Sequence, residues 1–223
     1  MLVIGHRGAA GYKIENTISS IKKAIELKVD YFEVDVQETK DGEIIVFHDF
    51  ELDRLTNSKG KISELNYSDI KKVVVKNEEH IPTLKEVLKL IKNENVNIFI
   101  EIKTQNIEKK VIEIALKYLT KNRFILGSFY HKVVKNIKKI DNEIETLSLL
   151  EGYPVDISSI IKDSKCDYLG LGYGFIDKEF VSEIHKNSCK VFVWTVNRIE
   201  DIKNMYNCNV DGIISNYPDR VLL

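Results

Sequence analysis

Residues 31–37 read Tyr31-Phe32-Glu33-Val34-Asp35-Val36-Gln37, a β-branched and aromatic run that carries two carboxylates two positions apart. Side chains at i and i+2 of a strand point to the same face, so Glu33 and Asp35 share one side while Phe32, Val34 and Val36 share the other. The apolar side reads as buried, which makes this a strand with both acids facing one space. Like charges held close together and out of water are protonated, or they are paired with a cation. Hard oxygen donors at this spacing suit Mg²⁺ or Ca²⁺. A polar edge strand is the plain structural alternative, and the pattern around the stretch has to decide.

Working outward, comparable runs lie at Leu2–Gly5, Ile98–Lys103, Arg123–Ser128, Glu145–Leu149, Asp167–Leu171, Lys190–Val196 and Gly212–Ser215, which with Tyr31–Gln37 makes eight expected strands. Amphipathic patterns separate them. Ile18, Ile21, Ala24 and Ile25 fall on one helix face within Thr17–Leu27. Leu84–Ile91, Ile107–Leu119, Val133–Ile140, Val155–Ile161, Lys178–Lys186 and Ile199–Tyr206 behave alike, with Thr83 and Asp177 as N-caps. Strand–helix alternation at this pace predicts a parallel sheet with crossover helices. Eight repeats closing on themselves make a (β/α)₈ TIM barrel, whereas an open doubly wound sheet satisfies the same strand count. The tail after residue 216 leaves little room for an eighth helix.

One segment breaks the rhythm. Lys40-Asp41-Gly42 is a turn signal, Glu43–Phe47 is a further strand-like piece, and Asp49–Ile81 is polar and lysine-rich. The expectation is a short insertion after the second strand, at about residues 49–81, within a single domain spanning 1–223.

Composition bounds the function. The chain has 223 residues, 43% hydrophobic and 30% charged, with a formal net charge of −1. Neither nucleic acid nor an anionic membrane is indicated as a partner. Cys166, Cys189 and Cys208 form no CxxC pair, so no disulfide framework or zinc site is expected. Free thiols, no signal-peptide pattern and no apolar run of about 18 residues point to a cytoplasmic protein without stable membrane association.

The chemistry collects at strand ends. Gly5-His6-Arg7-Gly8 closes the first strand, Glu101-Ile102-Lys103 closes the third, and His48-Asp49 follows an apolar run. If the second and third strands are neighbours, Glu101 completes an oxygen cage with Glu33 and Asp35, and Lys103 stands beside it. Imidazoles titrate near neutral pH, so His6 and His48 form a candidate acid/base couple. Arg7 offers a planar fork and Lys103 a point charge for phosphate oxygens. His80, His131 and His185 read as background. Together these groups suit metal-assisted attack on a phosphate ester.

At this point the sequence resembles the glycerophosphodiester phosphodiesterases, barrel enzymes that cleave glycerophosphodiesters with a divalent cation. The matching blocks are HRG (6–8), ENT (15–17), EVDVQETKDGEIIVFHD (33–49), IPTLKEVL (81–88), EIK (101–103), VWTVN (193–197) and DGIISNYPD (211–219). The resemblance implies that His6 and His48 are the acid/base pair, and that Glu33, Asp35 and Glu101 hold one divalent cation, Mg²⁺ or Ca²⁺. It places Arg7 and Lys103 on the phosphate of a small glycerophosphodiester, Glu15 close to the same centre, and Trp194 in the substrate wall. Two positions depart from the family pattern: Ile14 replaces a proline, and Asn216 stands where aspartate is common.

Hydrolysis to sn-glycerol 3-phosphate and an alcohol is the leading reading. Direct attack by water and prior attack by the neighbouring glycerol hydroxyl both remain open. A lysophospholipase D or sphingomyelinase-D-like enzyme needs apolar access, and no exposed aromatic or basic amphipathic stretch suggests membrane docking. A non-catalytic phosphodiester-binding barrel has no need of two acid/base imidazoles.

Overall fold

A computed structural model describes residues 1–222; Leu223, the last residue of the expected tail, lies outside the described residues. The chain runs through β1 (Leu2–Gly5), α1 (Ile18–Glu26), β2 (Tyr31–Glu38), β3 (Ile44–Val46), α2 (Tyr67–Ile70) and α3 (Leu84–Ile91). It continues with β4 (Asn97–Ile102), α4 (Glu108–Leu116), β5 (Phe124–Ser128), α5 (His131–Ile140), β6 (Glu145–Leu150) and α6 (Ile157–Ser164). The last elements are β7 (Tyr168–Gly172), α7 (Lys178–Lys186), β8 (Lys190–Trp194), α8 (Ile199–Asn207) and β9 (Gly212–Ser215).

The sheet closes. β1 pairs in parallel with β9, Leu2 to Gly212 through Gly5 to Ser215, and also with β2, Ile4 to Tyr31 and Gly5 to Phe32. All eight barrel strands are parallel to their neighbours, so the fold is a (β/α)₈ barrel and the open-sheet alternative is excluded. Among the described residues, β9 is followed by a short 3₁₀ turn, Pro218–Val221, and not by a further α-helix.

Closure buries both faces of β2. Phe32, Val34 and Val36 pack outward against the helices with residues such as Ile98, Ile100, Leu84 and Val87. Tyr31 points inward, into a barrel core with Ile4, Phe99, Ile125, Leu147, Tyr168, Phe192 and Ile214. Glu33 and Asp35 follow Tyr31 on that inner side, one and two steps nearer the C-terminal mouth, where a barrel opens to its substrate.

The N-caps behave as the sequence requires. Thr17 accepts from the Ser20 amide, Asp177 accepts from the Phe180 amide, and Thr83 forms a capping box with Glu86. The strand-like piece at 43–47 is β3, a ninth strand that pairs antiparallel with β2, Val36 to Val46 and Glu38 to Ile44. The segment at 49–81 therefore hangs from a hairpin. It carries its own apolar cluster, including Phe47, Leu52, Leu55, Ile62, Ile70, Val73 and Val75, which fixes it over one side of the mouth. Among the described residues, no helix is long and apolar enough to cross a membrane.

Gly5 ends β1 where the chain turns back across the barrel rim. A Cβ there would collide with the Gly8 carbonyl oxygen, and that oxygen is fixed because Arg7 and Gly8 are both left-handed, with φ of 49° and 87°. We expect Gly5→Ala to lower unfolding stability by about 1–3 kcal/mol through overpacking, read as a lower urea midpoint at unchanged m-value.

Candidate active site

The register of β2 and β4 places Asp35 directly beside Glu101, and Glu33 beside Phe99. Neighbouring residues in parallel register share a face, so the three acids converge, and their carboxylate oxygens lie within 4.8 Å of one another. All three are buried. Burial and the charges of Asp35 and Glu101 push the Glu33 carboxyl well above the usual range, with Arg7 pulling the other way. Glu101 is raised to about 7 by burial and Asp35, against the pull of Lys103.

The donor set suits a hard cation. Glu33 Oε2 accepts from the Arg7 amide at 2.7 Å, whereas Glu33 Oε1 is buried with no hydrogen-bond partner. A buried carboxylate oxygen left unpaired beside two further carboxylates fits an oxygen-ligated divalent ion. Two cations of the protein already crowd the cluster: Arg7 Nε lies 3.3 Å from Asp35, and Lys103 Nζ lies 3.2 Å from Glu101 and 3.6 Å from Asp35. Lys103 follows β4 directly, and its amide donates to the Val36 carbonyl, which docks it on β2.

The turn after β1 explains why a histidine and an arginine come so early in the chain. The His6 amide donates to the Ser215 carbonyl on β9 and the Gly8 amide to the Glu33 carbonyl on β2. This pins the turn to both neighbours and sets His6 and Arg7 into the mouth. His6 Nδ1 meets Asn216 Oδ1 at 2.6 Å. Burial and the charge of Arg7 lower the His6 imidazole to about 4, despite the Asn216 hydrogen bond, so the ring is neutral at physiological pH.

His48 sits across the mouth, at the end of the β2–β3 hairpin, and its Nδ1 meets Asp49 Oδ1 at 2.7 Å. Burial raises the Asp49 carboxyl, but hydrogen bonds from Arg54 and His48 outweigh it and hold the group at about 2. The two imidazoles thus differ in their second ring partner, a neutral amide for His6 and a carboxylate for His48.

His6, Arg7, Glu33, His48 and Glu101 line a cavity of about 120 Å³ together with Phe99, Phe129, Leu149, Trp194 and Ile214. Larger hollows of about 480 and 460 Å³ lie elsewhere on the surface, but no comparable group of acids, imidazoles and cations converges on them. Trp194 packs edge-on against Phe129 at 5.5 Å, and its indole N–H is without a partner.

Glu15 belongs to the cluster by charge and stands one step back from the cavity. Its carboxylate is engaged by Arg7 Nη1 at 2.6 Å and by two Arg54 nitrogens at 2.7 and 3.1 Å. Those contacts hold it at about 2, against the effect of burial.

Sequence reasoning missed several participants. Asn16, inside the ENT block, donates to Asp35 Oδ2 at 2.8 Å and accepts from the Asp35 amide at 3.2 Å, in a left-handed conformation with φ of 58°. A short amide side chain after a charged residue was its only signal. Asn216 was noted only as a departure from the family pattern, whereas it orients His6. Arg54 gave no local signal. Exposed aromatics are dispersed over the rim: Phe50, Phe129, Tyr130, Tyr153, Tyr173 and Phe175 are all exposed on segments that follow strand C-termini. No single stretch contains them, because four separate connections contribute.

A closed parallel barrel with an acidic cluster and two imidazoles at its C-terminal mouth defines a barrel hydrolase. The chain belongs to the Glycerophosphoryl diester phosphodiesterase family, which it matches over residues 6–220, and it is a phosphoric diester hydrolase. It is 36% identical to a glycerophosphodiester phosphodiesterase of Caldanaerobacter subterraneus subsp. tengcongensis, over 99% of this chain and 96% of that protein. Its fold is similar to that of an Oleispira antarctica phosphodiesterase solved in complex with the product sn-glycerol-3-phosphate, with a TM-score of 0.93, 25% identity and coverage of 100% and 95%. A Thermotoga maritima glycerophosphodiester phosphodiesterase gives a TM-score of 0.85 at 26% identity, with coverage of 100% and 97%.

The lowered pKa of His6 has a consequence for stability. The unfolded chain takes up that proton near pH 6.5, so between about pH 6.5 and 4 it binds more protons than the native state, and stability falls as pH falls. His6→Asn should flatten that slope: urea titrations from pH 7 down to 4.5 should show the wild type losing stability relative to the variant.

Proposed function

We propose that this enzyme hydrolyses glycerophosphodiesters to sn-glycerol 3-phosphate and an alcohol, using one divalent cation held by Glu33, Asp35 and Glu101. The observation that carries this reading is the buried carboxylate cluster, with its unpaired Glu33 oxygen, beside a small cavity that two imidazoles also line. The product bound by the Oleispira antarctica relative supports the glycerol 3-phosphate half. When bound, Mg²⁺ or Ca²⁺ supplies neutralisation and orientation of the phosphate.

The side chains divide the remaining work. His6, neutral and held by Asn216, accepts the proton of the attacking oxygen; His48, beside the Asp49 carboxylate, carries the proton that goes to the leaving alcohol. Arg7 and Lys103 balance the phosphate charge. Glu15, committed to two arginines, supports substrate binding by holding the Arg7 fork in place. Trp194 and Phe129 form the wall against the glycerol carbons, where the free indole N–H meets a hydroxyl. We read residues 1–223 as one catalytic domain in the cytoplasm, the compartment that suits its three free thiols.

A second reading is supported by the aromatics exposed around the mouth: the enzyme also takes lysophospholipids, with the acyl chain lying outside the cavity. One assay addresses both. Release of glycerol 3-phosphate from glycerophosphocholine should require Mg²⁺ or Ca²⁺, stop with chelator, and fall about 10²–10⁴-fold in His48→Ala. Choline release from lysophosphatidylcholine micelles exceeding that from glycerophosphocholine would favour the lipid reading.

The cation itself is testable without turnover. The raised pKa of Glu101 means that its stabilising neutral form is fully present below about pH 4.5 and lost as pH rises through about 7. In chelator at pH 8, Glu101→Gln should therefore melt above the wild type. Added Mg²⁺ or Ca²⁺ should raise the Tm of the wild type and leave the variant unmoved.

A further inference from the structure

The structure assigns to Arg54, in the segment between β3 and α3, the role of a positioning residue that locks the His48 side of the site to the Arg7 side. Its guanidinium forks twice. Nε and Nη2 donate to Asp49 at 2.6 and 3.1 Å, and Nη2 and Nη1 donate to Glu15 at 2.7 and 3.1 Å. Asp49 in turn holds His48 Nδ1 at 2.7 Å, while Glu15 holds Arg7 Nη1 at 2.6 Å and Arg7 lies against Asp35. The result is one chain of hydrogen bonds and ion pairs, His48–Asp49–Arg54–Glu15–Arg7–Asp35, that crosses the mouth from the hairpin to the acidic cluster.

Without the guanidinium, Asp49 and Glu15 face each other as two carboxylates with nothing between them. Their repulsion would swing Asp49 off the imidazole and Glu15 off Arg7. The backbone of Arg54 is fixed for this task. Leu52 and Leu55 on either side of it are buried in the apolar cluster of the segment, and the Thr56 amide donates back to the Leu52 carbonyl. The segment at 49–81 thus does more than cover the site: it delivers one cation to a place the barrel cannot reach. Lysine cannot substitute, because a point donor does not bridge two carboxylates in a fixed plane. Arg54 is itself half-exposed, so its ion pairs contribute little to folding and its effect is on geometry.

The inference rests on the proposed acid/base role of His48, and the test separates the two. Wild type, Arg54→Ala, Arg54→Lys, Asp49→Asn, the Arg54→Ala/Asp49→Asn double variant and His48→Ala are compared for kcat and KM on glycerophosphocholine at saturating Mg²⁺ or Ca²⁺. The downfield ring N–H resonance of His48 is followed by NMR in every variant that keeps the imidazole, with His48→Ala as the assignment control. Arg54→Ala should lose about 10–100-fold in kcat with KM within about twofold, and Arg54→Lys should recover only a minor part. Guanidinium ion added to Arg54→Ala should restore activity that it does not restore to Arg54→Lys. Arg54→Ala and Asp49→Asn should be non-additive, as expected for members of one network. The His48 N–H resonance should be lost or broadened in Arg54→Ala.

Unchanged kcat in Arg54→Ala, or a rise in KM alone, overturns the assignment; the second result makes Arg54 a direct substrate ligand. Should the wild type release no glycerol 3-phosphate, the functional reading fails, and the NMR readout alone decides the inference: a His48 resonance indifferent to Arg54→Ala and Arg54→Lys overturns it.

Discussion

Glu33, Asp35 and Glu101 bring three carboxylate oxygens within 4.8 Å of one another inside the barrel mouth, where burial removes the water that would screen them. Left alone, that arrangement is unfavourable, and the rest of the site is organised around it. Arg7 is bent into a left-handed turn to reach Asp35, Lys103 is placed directly after β4 to reach Glu101, and Asn16 satisfies both the amide and the carboxylate of Asp35. The oxygen that none of them satisfies, Glu33 Oε1, stays buried without a hydrogen-bond partner.

The same crowding separates the two histidines. His6 lies on the cluster side, deeply buried beside Arg7, and is paired with the neutral Asn216; its environment keeps protons off. His48 lies on the far wall, paired with an aspartate that Arg54 keeps ionised. Two chemically identical side chains thereby sit in different surroundings, one against a neutral amide and one against a carboxylate. The hairpin and the 49–81 segment are what create the second environment, since the barrel strands alone supply only the first.

The aromatic rim teaches a related lesson about surfaces. Phe129 lines the cavity, touches Trp194 and is itself half-exposed, so the wall of the small cavity runs without a break onto the outer face. A polar site of limited volume thus opens beside exposed aromatics contributed by several loops.

Much was legible in the sequence because it rests on local periodicity. Alternation along Tyr31–Gln37 put Glu33 and Asp35 on one face, strand–helix rhythm indicated a parallel sheet with crossover helices, and Thr83 and Asp177 announced their helices. His6, Arg7, His48, Glu101 and Lys103 were visible as charged or titratable residues closing apolar runs. Ring closure was beyond the sequence, since only the pairing of β1 with both β9 and β2 distinguishes a barrel from an open sheet. The partners that tune the site were hidden for the same reason. Arg54 joins Glu15 from 39 positions away and Asn216 meets His6 across 210, and polar contacts at such separations leave no periodic trace. Spacing along the chain determined which side chains could share a face; tertiary closure decided which faces meet, and with them the charge each histidine sees.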